Sequence, residues 1–215
     1  GALYVANMTT HAASTEVTFR NLSSPRELTA VNALFQQVWG SSEPIAHIDL
    51  LRAIAHSGGY VAGAFDVERR LIGASFGFLG RHAGELSLHS HVTGVLPGVQ
   101  HTGVGRAIKE HQRVWAAERG IERITWTFDP LVRRNAWFNI GVLGATVAEY
   151  VVNFYGRMTD SINTGSESDR LVVAWPTSPT APPAEADDVG SGLAGVVDVA
   201  TPDNIVILRR TDPRA

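Results

Sequence analysis

Two histidines and two glycines close together in the chain have the types and spacing needed for chemistry. His89 and His91 are separated by one residue in a segment with the alternation of a β-strand, so their side chains should share one face. Imidazole exchanges protons near neutral pH, which makes both residues candidate general bases. The pair could instead satisfy a polar patch or bind a metal ion.

The glycines lie where that strand gives way to a predicted helix. Pro97 and Gly98 interrupt the strand, and Gly103 and Gly105 open the helical pattern that follows. Backbone N–H groups at such a helix start converge on an anion, and the helix dipole adds positive potential. The spacing predicts an anion-binding loop beside the histidines, although a plain strand-to-helix turn would use the same glycines.

Two other phosphate-binding motifs fit this loop poorly. Ile108 stands at the third glycine position of a dinucleotide-binding fingerprint, and the unit follows a predicted hairpin instead of opening a doubly wound sheet. The Gly-Lys-Ser/Thr ending of a P-loop is missing from the sequence.

The elements that must position this stretch are visible as helical and strand periodicity. Ser24 and Glu27 form a capping box around Pro25, which marks a helix start. We predict helices at residues 25–39, 47–56, 103–119 and 133–143. We predict strands at residues 16–22, 60–65, 71–78, 85–96, 121–128, 145–154 and 171–175. This order indicates an α/β (α+β) fold with a mixed central β-sheet flanked by helices on both faces.

Composition divides the chain into a domain and its flanks. Residues 1–14 are expected to be a tag or a disordered N-terminus, and residues 15–175 the folded domain. Residues 176–203 have the Pro/Ala-rich composition of a linker. Residues 204–215 begin with Asn-Ile-Val-Ile-Leu-Arg, which could add a C-terminal strand.

The bulk composition argues against several classes of protein. The 215 residues are 44% hydrophobic and 18% charged, with a net charge of −3. Nucleic acid and anionic membranes are therefore not expected as main partners. Zero cysteine excludes disulfides, thiolate nucleophiles and Cys-type zinc sites. No apolar run reaches the ~20 residues of a transmembrane helix, and we expect a cytoplasmic protein.

The central stretch resembles the acyl-CoA-binding signature of the GNAT superfamily of N-acetyltransferases. Val95-x-Pro97-x-x-Gln100-x-x-Gly103-x-Gly105 is similar to the family pattern Gln/Arg-x-x-Gly-x-Gly/Ala. The predicted element order also matches that fold, and the resemblance covers about residues 17–175. The runs 126–130 and 155–160 look like an uncharacterised branch of predicted bacterial acyltransferases.

This resemblance implies a binding mode for an acyl-CoA cosubstrate. In the family, the loop amides hold the CoA pyrophosphate and the preceding strand pairs with the pantetheine arm. The implied ligand is acetyl-CoA or another acyl-CoA, with no metal. Asn135 matches a position that often contacts CoA, and the implied contacts of the strand and loop are Gly94, Val95, Leu96, Gln100, His101, Thr102, Gly103, Val104, Gly105 and Arg106.

The resemblance also implies roles in catalysis. Serotonin-type members have a His-x-His pair at the positions of His89 and His91, so either residue could take the amine proton, directly or through water. The usual general-acid tyrosine is replaced by Ile140, four residues before Gly144. Tyr155 is the candidate that could supply a proton in its place.

We therefore expect an N-acyltransferase that moves a short acyl group from acyl-CoA to a small-molecule amine or an amino acid by direct attack. Dimers are common in the family, which leaves a homodimer open. A non-catalytic CoA-binding sensor and a nucleotide-binding oxidoreductase are the alternatives. Trp115, Trp126 and Trp137 have spacings that favour core packing over ligand contact.

Overall fold

The computed structural model of the protein describes residues 10–12, 15–82, 84–156, 168–178 and 201–211. They belong to two compact units that divide after Ile124. The first unit contains strands β1 (Thr10–Ala12), β2 (Thr15–Asn21), β3 (Tyr60–Phe65), β4 (Leu71–His82) and β5 (Glu85–Val95), and helices α1 (Pro25–Trp39), α2 (Ile48–His56) and α3 (Val104–Ala117). The second unit contains most of β6 (Arg123–Phe128), then α4 (Arg133–Ala136), β7 (Thr146–Val151), β8 (Arg170–Pro176) and α5 (Ile205–Thr211).

The strands β1 to β5 lie side by side in chain order, and each is antiparallel to the next. The pair β4–β5 extends from His82 opposite Glu85 to Gly73 opposite Val95. β4 therefore runs past the predicted strand end at Phe78, and the hairpin turn is shorter than expected.

Helices cover both faces of these strands. A Cβ added to Gly73 would meet Ile108 of α3, whereas a Cβ added to Gly94 would lie 3.0 Å from Trp39 of α1. Gly94 is the cross-strand partner of Ala74, the neighbour of Gly73, and successive strand residues face opposite sides. The first unit thus has α1 and α3 on opposite faces of its strands, as predicted.

Apolar side chains fill both of these faces. Leu28, Phe35 and Leu51 are fully buried in the cluster beneath α1 and α2. Phe19 and Ile108 belong to the cluster beneath α3. The apolar periodicity of the sequence therefore corresponds to real core faces.

The predicted start of α1 is confirmed. The Ser24 side chain accepts a hydrogen bond from the Glu27 backbone, and the Glu27 carboxylate accepts one from the Ser24 backbone at 3.0 Å. The helix ends at Gly40, whose φ of +63° is the left-handed conformation that glycine adopts without strain.

In the second unit the strand order is β6-β8-β7, and β7 is antiparallel to β8. The predicted helix at 133–143 is α4 followed by a π-helical turn, Trp137–Val142, and Gly144 (φ +70°) ends it. Trp115 and Trp126 are buried as expected. The expectation for Trp137 is wrong, because its side chain on this turn is 68% exposed.

The predicted C-terminal strand at 204–209 is also wrong, because Ile205–Thr211 forms helix α5. The Asn204 side chain accepts the N–H of Ile207 at 3.1 Å, and the Asn204 carbonyl accepts that of Leu208. A short apolar run does not distinguish strand from helix, and a capping asparagine favours the helix. The expected tag lies largely, and the expected linker mostly, outside the described residues.

Among the described residues, no helix is both long enough and apolar enough to span a membrane.

Glu27→Gln should lower the free energy of unfolding at neutral pH, and it should lower it by a smaller amount in acid. Burial would raise the pKa of Glu27, but hydrogen bonds from Arg20, Ser24 and Ser23 outweigh it and lower the pKa to about 2. A lowered carboxyl pKa stabilises the folded state above the unfolded value, and this stabilisation disappears as pH falls toward 2. We expect a loss of about 1 kcal/mol at pH 7, the usual cost of a lost cap, in urea denaturation.

At pH 3 the difference between Glu27→Gln and the wild type should be smaller. The exposed Glu43, changed to Gln, is the matched control and should unfold like the wild type at both pH values. An equal loss at pH 7 and pH 3 for Glu27→Gln would contradict the role of its charge.

Candidate functional site

His89 and His91 lie on β5 where its pairing with β4 is irregular. Phe76 pairs with Val92 and Gly77 pairs with Ser90, so His91 is an extra residue of a β-bulge. Bulges redirect side chains and are frequent beside active sites. The sequence pattern of β5 gives no sign of this bulge.

The two strands approach closely at the bulge because β4 has a glycine there. A Cβ on Gly77 would lie 2.6 Å from the carbonyl oxygen of His89, which is too short for any real contact. Gly77 therefore fixes the path of β5 at the first histidine.

The two imidazoles lie close together at the bulge. The ring centroids of His89 and His91 are 6.0 Å apart, and both rings contact Phe78, at 5.1 and 5.7 Å. His91 is the more exposed of the two, and His89 is half-buried. The side chains thus lie side by side, as expected from their spacing.

Burial lowers the pKa of both histidines. The pKa of His89 falls to about 4, through burial first, then the charge of His91 and then the charge of Lys109. Burial also lowers the pKa of His91. Both imidazoles are consequently neutral at pH 7, the form that accepts a proton.

Sequence reasoning missed Lys109, a residue of α3 that contacts Ser90 between the two histidines. The Lys109 side chain is 4% exposed and donates hydrogen bonds to Ser90 Oγ at 2.9 Å and Gln112 Oε1 at 3.1 Å. A signal was present in the sequence, since Lys109 is its only lysine and falls on the apolar side of α3, between Ile108 and Gln112.

The glycine loop connects β5 to α3 through two left-handed residues. His101 has a φ of +67° and Gly103, the N-cap of α3, a φ of +88°. The Thr102 hydroxyl donates to the Val99 carbonyl at 2.7 Å, which holds the loop from within. Gln100 Nε2 donates to the Val95 carbonyl at 3.5 Å.

The N-terminus of α3 follows an exposed loop. Within the part of the chain that the structure describes, no side-chain hydrogen bond caps the helix at Gly103, and residues 100–103 are exposed. Val104 is 3% exposed and anchors the first turn, while Arg106 lies at the surface. Free N–H groups at a helix start, with an arginine beside them, can bind phosphate oxygens.

The end of β5 leads into this loop. Gly94 is buried, and Val95 and Leu96 are half-buried. The N–H of Leu96 donates to the Ile72 carbonyl at 3.0 Å, so the backbone pairing continues one residue past the strand. The segment expected to meet the pantetheine arm is therefore extended and fixed to β4.

Two other candidate residues belong to the second unit. The Tyr155 hydroxyl hydrogen-bonds with the Thr127 hydroxyl at 3.1 Å, and its ring is 45% exposed. Asn135 is half-buried in α4, and its N–H donates to the Val132 carbonyl. Ile140, at the expected acid position, is 43% exposed and offers no proton.

No group of three or more potential ligands that could hold a metal ion occurs among the described residues.

Solved structures with a similar fold include acetyltransferases. The ribosomal-protein-S18-alanine N-acetyltransferase from Escherichia coli is similar with a TM-score of 0.56 at 20% identity, over 78% of this chain and 98% of that one. A GNAT-family acetyltransferase from Streptococcus pneumoniae gives a TM-score of 0.59 at 12% identity, over 75% and 99%. One from Elizabethkingia anophelis, with acetyl-CoA bound, gives 0.53 at 12% identity, over 74% and 97%. No protein-family model and no curated protein sequence matches the chain.

Gly77→Ala should displace β5 at His89 and destabilise the protein. The new Cβ would overlap the His89 carbonyl oxygen, and overpacking of this kind costs about 1–3 kcal/mol. Gly80→Ala on the same strand is the matched control, since nothing lies within 4 Å of its Cβ. Urea denaturation and the imidazole NMR signals of both variants measure the effect; equal stability of the two would disprove the close approach.

Proposed function

Because the chain has the fold of the GNAT-family acetyltransferases, we propose that it is an acyl-CoA-dependent N-acyltransferase. The observation that supports this most directly is the glycine loop between β5 and α3. It joins an uncapped helix start to a strand that carries two neutral imidazoles. An anion site beside proton acceptors suits a reaction between a phosphorylated acyl donor and an amine.

In this proposal the loop binds the pyrophosphate of CoA. The N–H groups from Gln100 to Arg106 would contact the phosphate oxygens, with the positive end of the helix dipole behind them. The backbone of Gly94, Val95 and Leu96 would pair with the pantetheine arm. Asn135 is a further proposed contact with CoA, from its match to a position that often contacts CoA in the GNAT superfamily. The bound donor supplies an acyl group on a thioester.

The histidines would take the proton of the attacking amine. An ammonium ion must lose a proton to become a nucleophile, and a neutral imidazole can accept it directly or through a water molecule. The lowered pKa of His89 makes it a weaker base than free histidine, but keeps it unprotonated across the physiological range. His91 is the more exposed of the two and the better placed to meet an incoming substrate.

Tyr155 would provide the proton for the departing thiolate. Tyr155 is 45% exposed, and its hydroxyl hydrogen-bonds with that of Thr127. The acceptor in this proposal is a small-molecule amine or an amino acid.

A CoA-binding sensor is the second candidate, favoured by one observation. Ile140 stands at the position of the usual acid, and its apolar side chain cannot protonate a leaving group. Release of free CoA in the presence of an amine separates the two functions, because a sensor would bind acyl-CoA without turnover.

Gly103→Val should abolish acetyl-CoA binding measured by calorimetry. A β-branched residue is strained at a φ of +88° and would place a side chain where the phosphates are expected. Gly58→Val is the matched control, since Gly58 has a φ of +87° with open space around it. It carries the same strain and should retain binding. Equal binding by both variants, or binding of NADH without CoA, would overturn the proposal.

His89→Gln and His91→Gln should lower kcat with acetyl-CoA and a reactive amine, chosen from a panel of amino acids, polyamines and peptide N-termini. Loss of a general base costs about 10²–10⁴-fold. His47→Gln, at an exposed position before α2, is the control. If both site variants keep full activity, the base is elsewhere.

The acid limb of kcat/KM should lie near pH 4 in the wild type. A base must be unprotonated, so activity falls only as pH drops through the pKa of His89, about 4. This limb should change in His89→Gln. A limb near pH 6.5 that is the same in both proteins would exclude His89 as the base.

A further inference from the structure

A buried ammonium group, that of Lys109, contacts Ser90, the residue between the two histidines. Of the eighteen lysine and arginine residues in the chain, only Lys109 is a lysine. Its side chain is 4% exposed, and lysine is rarely buried to this extent unless its charge is satisfied. Placing it there costs desolvation energy, which its hydrogen bonds to Ser90 and Gln112 offset in part.

The first contact of Lys109 is with the centre of the His-x-His sequence. Its Nζ donates to Ser90 Oγ at 2.9 Å. Ser90 is 4% exposed and pairs with Gly77 at the bulge. The ammonium therefore fixes the residue between the histidines from the α3 side of the strand.

Other contacts tie the same ammonium to the neighbouring strand. Lys109 donates to Gln112 Oε1 at 3.1 Å, and Gln112 Nε2 donates to Ser75 Oγ at 3.5 Å. Ser75 in turn hydrogen-bonds with the Thr93 hydroxyl at 2.8 Å. The network joins α3, β4 and β5 through side chains that are fully or largely buried.

Helix α3 links this network to the glycine loop. Lys109 follows Gly103 by less than two turns, and at 1.5 Å per residue the two are separated by about 9 Å along the axis. We infer that Lys109 is a positioning residue: it holds the bulge of β5 against α3, so that His89, His91 and the loop keep one geometry. This inference rests on the proposed function of that site.

The charge of Lys109 also acts on His89. The groups whose charges lower the pKa of His89 are His91 on its own strand and Lys109 on α3, after burial itself. Burial lowers the pKa of Lys109 to about 7. Lys109 is thus fully charged in the acid range where His89 titrates, and it disfavours the imidazolium.

The inference is tested with Lys109→Met, Ser90→Ala and the double variant. Lys109→Met removes the charge and keeps an unbranched side chain only one heavy atom shorter, and Ser90→Ala removes the other partner of the hydrogen bond. We expect each to lower kcat more than it changes KM, by about 10- to 100-fold, as for a small displacement of reacting groups. The double variant should lose little more than Lys109→Met, because both act through one contact.

A measurement without turnover keeps the inference separate from the proposed function. Histidine NMR titration should show the pKa of His89 raised in Lys109→Met, with shifted backbone signals at the bulge. Lysine labelled with ¹⁵N at the ε-position gives one signal in this chain, and it should move in Ser90→Ala. Arg119→Met, a loss of positive charge just past the end of α3, is the control.

Wild-type values of the His89 pKa and bulge signals in Lys109→Met and Ser90→Ala would overturn the positioning role, whatever the activity. Additive effects of the two changes on kcat would also contradict it. If no acyl-CoA or amine supports turnover, the proposed function fails, while the titration still decides whether Lys109 holds the bulge.

Discussion

The close approach of β4 and β5 at Gly77 is the constraint on which the candidate site depends. A glycine is required because the carbonyl oxygen of His89 occupies the space of a Cβ. The extra residue of β5 at this point is His91, whose ring lies beside those of His89 and Phe78. The missing side chain of Gly77 thus leaves room for the carbonyl oxygen of His89 at the bulge, where the two imidazoles lie side by side.

The face of α3 that packs on the sheet buries polar groups and shifts their pKa values. Lys109, His111 and Gln112 are all buried there among apolar residues. His111 hydrogen-bonds with the Tyr60 hydroxyl at 2.8 Å, and burial lowers the pKa of His111 to about 4 while it raises that of Tyr60. Both groups therefore keep their neutral forms, His111 without the extra proton and Tyr60 with its phenolic proton, because solvent is excluded from the layer between α3 and the strands.

The sequence was sufficient to predict the helix ends and the buried faces, because these depend on residues close together in the chain. The capping box at Ser24 and the glycine that ends α1 follow from contacts within a few residues, and the periodicity of β5 and α3 reflects which side is buried. The bulge at His91 depends instead on Gly77 in another strand. The π-helical turn that exposes Trp137 also depends on backbone hydrogen bonds that periodicity does not encode, and the helix after Asn204 has a side-chain cap at Asn204. Lys109 was missed although it is the only lysine in the sequence, and its partners Ser90 and Gln112 are known only from the fold.

The isolation of Lys109 has a consequence for the chemical durability of the protein. Acyl thioesters are electrophiles that modify accessible amines without any enzyme, and such modification removes the charge of a lysine. In this sequence the cationic surface is made of arginine, whose guanidinium stays protonated and is a poor nucleophile. The single lysine side chain is screened by the strands and held in hydrogen bonds. The surface of the protein therefore offers no lysine amine to activated acyl groups, which would slowly modify a lysine-rich protein.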